Sequence, residues 1–284
     1  IYDVIKTLVA KKIKAPIEDI YYANAIIYIM ENNLNELKKL IESNFVNVNR
    51  ELPYKKTLLM LASEFSTKDI VSLILSKTNN INSLCDGIKY DCGSALTSAV
   101  KGKKIDNMEF LISKGIIVDD SLSLPWAIIN NDVEALKILL DHGANPNITL
   151  LPKGTPNLIE AINTNNPAIV KLLLENNIKI EVKDDDGKIA IDYAKSKGNL
   201  EIIKLFNDFN NKHNNLNLSP ISEKHIAQDS NYPQYFYQGF LIYFIFPTIM
   251  IITIIIAYLA YKINISIKNE VTNINSSQTN LNTI

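Results

Sequence analysis

Apolar residues recur at helical spacing along the first 209 residues, and Gly or Asn residues close many of these runs. In residues 130–147 (NNDVEALKILLDHGANPN), the apolar side chains between Val133 and Leu140 form one stripe of a helix. We expect Asp132 to cap the start of this helix and Gly143 to end it in the left-handed conformation. So short a helix is marginal in water, and the pattern therefore predicts packing against neighbouring helices.

The same arrangement returns at a nearly fixed interval. Similar runs occupy residues 33–49, 67–82, 105–119, 166–181 and 199–206, and Thr78, Gly115 and Asn177 stand where Gly143 stands in its own run. A shorter helical piece with a small residue precedes each later run, and these small residues are Ala62, Ala99, Ala127, Ala161 and Ala194. Their spacings of 37, 28, 34 and 33 residues are typical of a solenoid built from two helices and a turn per unit.

Residues 184–206 (DDDGKIAIDYAKSKGNLEIIKLF) carry a resemblance to the ankyrin repeat family. The positions that match its Asp-x-x-Gly and helical signature are Asp184, Gly187, Ala194, Gly198, Glu201, Ile202, Ile203, Lys204 and Leu205. The departures are Ile189 and Ala190 in place of Thr-Pro, and Asp192 in place of His. The resemblance covers residues 1–209 and implies an all-α ankyrin-repeat solenoid of six to seven helix–turn–helix units with hairpin loops, the first unit truncated.

The N-terminal part departs most from this pattern. Residues 20–50 are expected to form a divergent unit, in which Ile29 stands where the family has a small alanine. Residues 3–16 have the pattern of the second helix of a preceding unit, and the chain begins with Ile1. We therefore expect the sequence to be a fragment or a processed product.

The C-terminal part changes in composition. Residues 210–231 are a polar linker, residues 232–261 an aromatic belt followed by a transmembrane helix, and residues 262–284 a polar tail predicted to be disordered. The 22 apolar residues 240–261 would extend about 33 Å as a helix, which is enough to cross the hydrocarbon core. A buried core helix is the alternative, and the length and the preceding linker disfavour it.

The orientation of this span has two opposing indications. Lys262 and Lys268 follow it closely and favour a cytoplasmic tail. Cys85 and Cys92 make no disulfide framework, which favours a reducing compartment for the repeats; a reduced pair is the preferred interpretation, and a disulfide the alternative. We expect a single-pass membrane protein whose repeat domain is cytoplasmic.

The sequence shows no catalytic or metal-binding pattern. Its net charge of −1 gives no basic field for nucleic acid, and its three histidines lie beside no matching nucleophile and carboxylate. It has no phosphate-binding glycine loop and no His-Glu-x-x-His, and its DDDG stretch lacks the spaced ligands of a calcium loop. We therefore predict no enzyme, no cofactor, no metal site and no small-molecule substrate.

The resemblance assigns partner binding to the residue before each small alanine, which lies on the concave side of the family's fold. These residues are Leu61, Ser98, Trp126, Glu160 and Tyr193, and the hairpin tips add Lys153, Asp185, Asp186 and Lys188. Trp126 is the expected centre of the site, because Trp anchors contribute strongly to interfaces. The alternative is that Trp126 only packs between units.

The predicted function is a membrane-anchored module that binds a partner protein through the concave ankyrin surface, with residues 240–261 in lipid. Heavy use of Asn, Ile and Lys suggests an AT-rich genome, and hence a parasite or symbiont protein acting on a host partner. The alternative is the C-terminal fragment of a larger membrane enzyme or channel whose active part lies upstream of residue 1.

The first prediction concerns the membrane segment. Residues 1–210 alone are expected to be soluble and helical, whereas the full chain is expected to sediment with membranes and to resist alkaline extraction, because only residues 240–261 need lipid. Fractionation of both proteins, followed by circular dichroism of the shorter one, measures this. Recovery of the full chain in the soluble fraction would contradict the predicted span.

Overall fold

The computed structural model describes residues 17–52, 55–85, 93–120, 122–148, 155–184 and 186–213. The regular elements in these residues are α-helices, as the sequence predicts. The described residues divide between two compact units, residues 17–47 and residues 48–213.

The described residues of the N-terminal unit form one helix pair, α1 (Ile17–Met30) and α2 (Leu34–Glu42). Asn32 turns the chain between them in the left-handed conformation, with φ of 54°. Asn33 caps α2 by accepting a 3.2 Å hydrogen bond from the backbone N–H of Glu36. Ile29 is fully buried, so the fold buries a large residue at the position where an alanine was expected.

The second unit contains five helix pairs in its described residues. In chain order they are α3 (Leu58–Phe65) with α4 (Lys68–Leu75), α5 (Ala95–Lys101) with α6 (Ile105–Ser113), α7 (Ser123–Ile129) with α8 (Val133–Asp141), α9 (Asn157–Asn163) with α10 (Pro167–Glu175), and α11 (Ala190–Lys197) with α12 (Leu200–His213). We call α3, α5, α7, α9 and α11 the first helices, and their partners the second helices.

The helix boundaries follow the local chemistry of the sequence. Asp132 accepts a 3.0 Å hydrogen bond from the N–H of Ala135 at the start of α8, and Gly143 has φ of 87° just after its end, so both predictions are confirmed. Asn177 occupies the same place after α10 and is also left-handed, with φ of 58°. Thr57 caps α3 through a 3.2 Å hydrogen bond from the N–H of Met60.

Each first helix packs against the next first helix, and each second helix against the next second helix. The five predicted small residues mark the first-helix contacts, since Ala62, Ala99, Ala127, Ala161 and Ala194 have no exposed surface. An alanine side chain ends at its β-carbon and so lets adjacent helices approach closely. The apolar faces that no single pair can bury are therefore buried between pairs.

The approach is close between α3 and α5. Gly102 ends α5, and a β-carbon there would lie 2.1 Å from the carbonyl oxygen of Glu64. The backbone at Gly102 has an ordinary φ of −77°. Glycine is therefore required here by space and not by backbone conformation.

Asparagine and aspartate side chains connect the loops of successive pairs. Four side-chain oxygens each accept a hydrogen bond from a backbone N–H of the following loop. Written with the donor first, the pairs are Asn79 to Asn49 at 2.8 Å, Ile117 to Asn82 at 2.8 Å, Asn145 to Asp119 at 3.2 Å and Lys179 to Asn147 at 2.7 Å. Asn49 and Asn147 also donate to the carbonyls of Lys77 and Asn177, respectively. Loop groups that helices leave unpaired are satisfied in this way.

The opposite edge of the stack has asparagines of its own. Asn131 and Asn165 turn the chain from first to second helix in the left-handed conformation. Asn166 donates to the Asn131 side-chain oxygen at 2.7 Å, and Asn199 donates to that of Asn165 at 2.7 Å. Successive turns are thus tied to each other across the helix pairs.

The loop after α4 departs from the sequence expectation in its register. Because α4 ends at Leu75 with Ser76 as its cap, Lys77 and not Thr78 takes the place of Gly143. The carbonyl of Lys77 accepts from Asn49 as that of Asn177 accepts from Asn147. Thr78 instead donates its hydroxyl to the Ile74 carbonyl at 2.9 Å.

The preferred interpretation of the cysteines is wrong in this structure. Cys85 is disulfide-bonded, and Cys92 is the only other cysteine of the sequence. The loop returns on itself here, since the Gly93 N–H donates to the Cys85 sulfur at 3.0 Å and the Cys85 N–H donates to the Gly93 carbonyl at 3.3 Å. The disulfide alternative therefore holds.

The predicted span at residues 240–261, the linker beyond residue 213 and the tail lie outside the described residues. Within residues 17–213, as far as they are described, no helix combines the length and the apolar character that crossing a bilayer requires. The membrane helix stays a prediction from sequence.

The second prediction tests the close contact at Gly102. Gly102→Ala is expected to lower the free energy of unfolding by about 3 kcal/mol or more, because a methyl group would collide with the backbone of Glu64. Gly115→Ala is the matched control, since its β-carbon would meet nothing within 4 Å and only the left-handed φ of 84° is strained; its expected cost is about 1–2 kcal/mol. Urea unfolding of both variants measures this, and equal losses would contradict it.

Candidate partner-binding face

The five predicted contact residues occupy equivalent places on the first helices. Leu61, Ser98, Trp126, Glu160 and Tyr193 each precede one of the fully buried alanines on α3, α5, α7, α9 and α11, respectively. We call this set the first-helix column. Because the first helices pack in series, the column runs along one face of the second unit.

The column is not uniformly exposed. Leu61, Glu160 and Tyr193 are partly exposed, whereas Ser98 is 9% and Trp126 only 7% exposed. The Lys101 ammonium lies 5.1 Å from the centroid of a Trp126 ring, a cation–π distance. Trp126 thus has the burial of a packing residue, which agrees with the alternative that the sequence left open, and its role as a partner anchor stays a prediction.

Tyr193 is joined to the preceding hairpin loop. Its hydroxyl donates a short hydrogen bond to the carboxylate of Asp184, and the Lys188 ammonium lies 5.9 Å from its ring centroid. Of the predicted hairpin-tip residues, Asp186 is exposed and Lys188 partly exposed. Lys153 and Asp185 lie outside the described residues.

Asp184 holds the hairpin in shape. Its carboxylate accepts the backbone N–H groups of Asp186 at 3.0 Å and of Lys188 at 2.8 Å. Desolvation acts against the charged form, but the hydrogen bonds from Tyr193 and from these two N–H groups outweigh it, so the pKa of Asp184 lies below its ordinary value. Tyr193 is thereby fixed by a charged partner at the base of the loop.

Glu160 has the opposite electrostatic situation. It lies on α9, and burial raises its pKa to about 7. Hydrogen bonding with the Thr155 and Asn163 side chains and the charge of Lys197 act in the opposite direction, but their combined effect is smaller. The Lys197 ammonium donates to the Asn163 carbonyl at 3.5 Å. The carboxyl of Glu160 is therefore poised to change its charge near neutral pH.

A hydroxyl cluster between α5 and α7 was not predicted. One carboxylate oxygen of Asp120 accepts hydrogen bonds from the hydroxyls of Ser94, Thr97 and Ser123, the last two at 2.8 Å each. The other oxygen accepts the N–H of Ser123 at 2.8 Å. The cluster ties the starts of two first helices together, and its sequence signal is the presence of Ser or Thr at both starts.

Comparison with known proteins agrees with this geometry. A family model described as ankyrin repeats, in three copies, matches residues 125–217, which begin within α7 and include α8 to α12. Residues 125–217 of this chain therefore resemble three ankyrin repeats. The prediction of an all-α ankyrin-repeat solenoid is confirmed for the fold of the repeats.

Similar proteins include two fowlpox virus (strain NVSL) ankyrin repeat proteins. FPV031 is 29% identical over 161 residues, which is 53% of this chain and 47% of the viral protein. FPV034 is 30% identical over 152 residues, which is 51% of this chain and 34% of the viral protein. The chain therefore spans about half or less of these relatives, and its resemblance to them concerns the ankyrin repeats.

A solved structure supports the same fold. An ankyrin repeat domain from Acinetobacter baumannii AYE superposes with a TM-score of 0.57 at 21% identity, and the match covers 66% of this chain and 97% of that domain. This likeness is one of fold. Ankyrin repeats are protein–protein interaction modules, so a face that binds protein is the site to examine on this chain.

The third prediction follows from the pKa of Glu160. Between its ordinary value of 4.5 and its folded value of about 7, the folded state retains a proton that the unfolded state releases, so stability falls as pH rises through this window. Glu160→Gln is expected to remove this loss and to exceed the parent in stability by ~2–3 kcal/mol above pH 7, with a smaller difference near pH 4.5.

Urea unfolding of the parent and the variant at several pH values measures this dependence. Glu134→Gln is the control, because Glu134 is an exposed carboxyl on the second helix α8. A difference between Glu160→Gln and the parent that does not change with pH would contradict the prediction.

Proposed function

We propose that this chain binds a partner protein through the first-helix column and the hairpin tips of its ankyrin repeats. The observation that carries the proposal is the pair Glu160 and Tyr193, which stand at equivalent places on α9 and α11 and keep exposed surface while the alanines beside them are fully buried. Tyr193 is positioned by the hydrogen bond from its hydroxyl to Asp184. A face of positioned polar and aromatic side chains is suited to specific contact.

Trp126 enters the proposal in a different role from the one expected from sequence. Since only 7% of it is exposed, it supports the packing of α7 next to the binding residues. Ser98 is similarly buried. The partner is therefore expected to contact Leu61, Glu160 and Tyr193 more directly than the two central positions.

Membrane attachment is the second part of the proposal and rests on the sequence alone. Residues 240–261 are apolar and long enough to span a bilayer, with the polar segment 210–231 as a linker. The repeat domain would then act next to a membrane, on the cytoplasmic side. A host partner of a parasite or symbiont is the class that the composition suggests, and an upstream enzyme or channel domain is the alternative.

The fourth prediction separates contact residues from packing residues. Tyr193→Ala is expected to reduce partner recovery at least tenfold, because Tyr side chains contribute strongly to interfaces, and to cost less stability than Trp126→Ala. Trp126→Ala is expected to cost ~3–5 kcal/mol of stability, as truncation of a buried aromatic does. Affinity capture from a cell lysate with quantitative mass spectrometry, together with thermal unfolding, gives both readings.

Two further variants make this result specific. Tyr193→Phe keeps the ring and removes only the hydroxyl that bonds Asp184, so it distinguishes ring contact from hairpin positioning. Lys137→Ala changes an exposed residue of the second helix α8 and is expected to leave recovery unchanged. Partners retained by Tyr193→Ala but lost with Lys137→Ala would place the binding face on the second helices instead.

A further inference from the structure

The disulfide of Cys85 lies in the longest connection between the described helix pairs of the second unit. This connection, residues 76–94, joins α4 to α5, and the alanine spacing across it is the largest, at 37 residues. Because Cys92 is the only other cysteine of the sequence, the bond closes a covalent loop directly before α5. Closing so short a loop restricts the chain at that point.

The bonded sulfur lies against the residue that precedes the cap of α5. The N–H of Gly93 donates to the Cys85 sulfur at 3.0 Å, and the N–H of Cys85 donates to the Gly93 carbonyl at 3.3 Å. A β-carbon on Gly93 would lie 2.4 Å from the hydroxyl oxygen of Thr97, so the backbone of Gly93 lies directly against the first turn of α5. One residue thus separates the disulfide from the start of this helix.

The start of α5 is bonded in turn to the start of α7. The hydroxyl oxygen of Ser94 accepts the N–H groups of Leu96 at 3.0 Å and Thr97 at 3.1 Å, and the N–H of Ser94 donates to the Thr97 hydroxyl at 3.3 Å. The hydroxyls of Ser94 and Thr97 both donate to Asp120, which also accepts the hydroxyl and the N–H of Ser123. Since these three hydroxyl residues are buried, a continuous hydrogen-bonded network runs from the disulfide to two first helices.

The disulfide itself is not enclosed with this network. Cys85 is partly exposed, and exposed disulfides are the ones that exchange readily with thiols. In a reducing compartment, where we propose that the repeats lie, a protein disulfide is usually transient or redox-sensing. A reversible bond therefore fits both the disulfide in the structure and the proposed cytoplasmic location.

We propose that the Cys85 disulfide is a redox-sensitive clasp. When oxidised, it fixes the start of α5 and, through Asp120, the start of α7; when a thiol reductant opens it, both starts loosen. In the opening step a reductant thiolate attacks one sulfur of the bond and forms a mixed disulfide, and the other protein sulfur leaves as a thiolate and takes up a proton. A second reductant thiolate then attacks the reductant's own sulfur in the mixed disulfide, and the remaining protein thiolate leaves and is protonated. Two reductant thiols are thereby oxidised to one disulfide, and two protein thiols are produced.

This inference goes beyond the proposed binding of a partner. Helices α5 and α7 carry Ser98 and Trp126, the second and third positions of the first-helix column, so the clasp acts on part of the proposed binding face. Its test is made on the chain alone and needs no partner. Failure of either proposal therefore leaves the other one standing.

A redox titration tests whether the bond is reversible. The full chain in detergent is equilibrated with mixtures of reduced and oxidised glutathione and quenched with acid, its thiols are alkylated, and the peptides that contain Cys85 and Cys92 are quantified by mass spectrometry. Excess reduced glutathione is expected to open the bond, and oxidised glutathione to form it again. A bond that stays closed at every ratio would be a permanent structural bond and would overturn the clasp.

Hydrogen exchange of the oxidised and the reduced chain tests what the clasp holds. On reduction, the amides of residues 94–98 and 122–124 are expected to exchange about tenfold faster, while those of residues 190–206 are unchanged. The double variant Cys85→Ser with Cys92→Ser is the control, because it is expected to exchange as the reduced parent does, with or without reductant.

The remaining outcomes would each contradict the proposal. Equal exchange of residues 94–98 and 122–124 in both states would show that the bond does not hold the two helix starts, and faster exchange of residues 94–98 alone would show that it does not reach α7. Equal acceleration of residues 190–206 would show a general loss of stability instead of a local release. Because the main comparison uses the reduced parent, it stands even if the double variant does not fold.

Discussion

The close approach of successive first helices is the constraint on which the second unit depends. A single pair of short helices cannot bury its apolar residues, and the stack solves this by burying them between pairs. That arrangement needs small side chains where first helices meet, and all five alanines at these places are fully buried. At Gly102 the approach is so close that even a methyl group would overlap the backbone of Glu64.

The same close approach affects the hydrogen bonding at both edges of the stack. Short helices leave many backbone groups at their ends, and these groups need partners. On the loop edge, Asn49, Asn82, Asp119 and Asn147 reach across to the next loop, and on the turn edge, Asn166 and Asn199 reach the preceding left-handed turn. The abundance of asparagine, which the sequence presents as a matter of composition, thus has a structural use in holding units in register.

The sequence could predict features that depend on local chemistry and on the period. These features are the helix start at Asp132, the left-handed residues Gly143 and Asn177, and the series of buried alanines. Each depends on a few neighbouring residues or on the repeat interval, and both can be read from the sequence. Features that depend on the spacing between units could not be predicted. The burial of Trp126 arises at the junction with the shortest alanine spacing, where Lys101 covers its ring, and the Asp120 cluster joins hydroxyls from two units.

Asp184 and Glu160 show how differently the surroundings of a carboxyl can act on its charge. The Asp184 carboxylate accepts hydrogen bonds from two backbone N–H groups and a tyrosine hydroxyl. These bonds stabilise its ionised form and hold the hairpin in shape. Glu160 is at the equivalent place to Tyr193, one repeat earlier, yet burial disfavours its charge more than its neighbours restore it. A hydrophobic residue there would avoid this electrostatic cost, as Leu61 and Trp126 do at the same place on other units. Glu160 therefore keeps an electrostatic cost on the face through which we propose that the chain binds a partner.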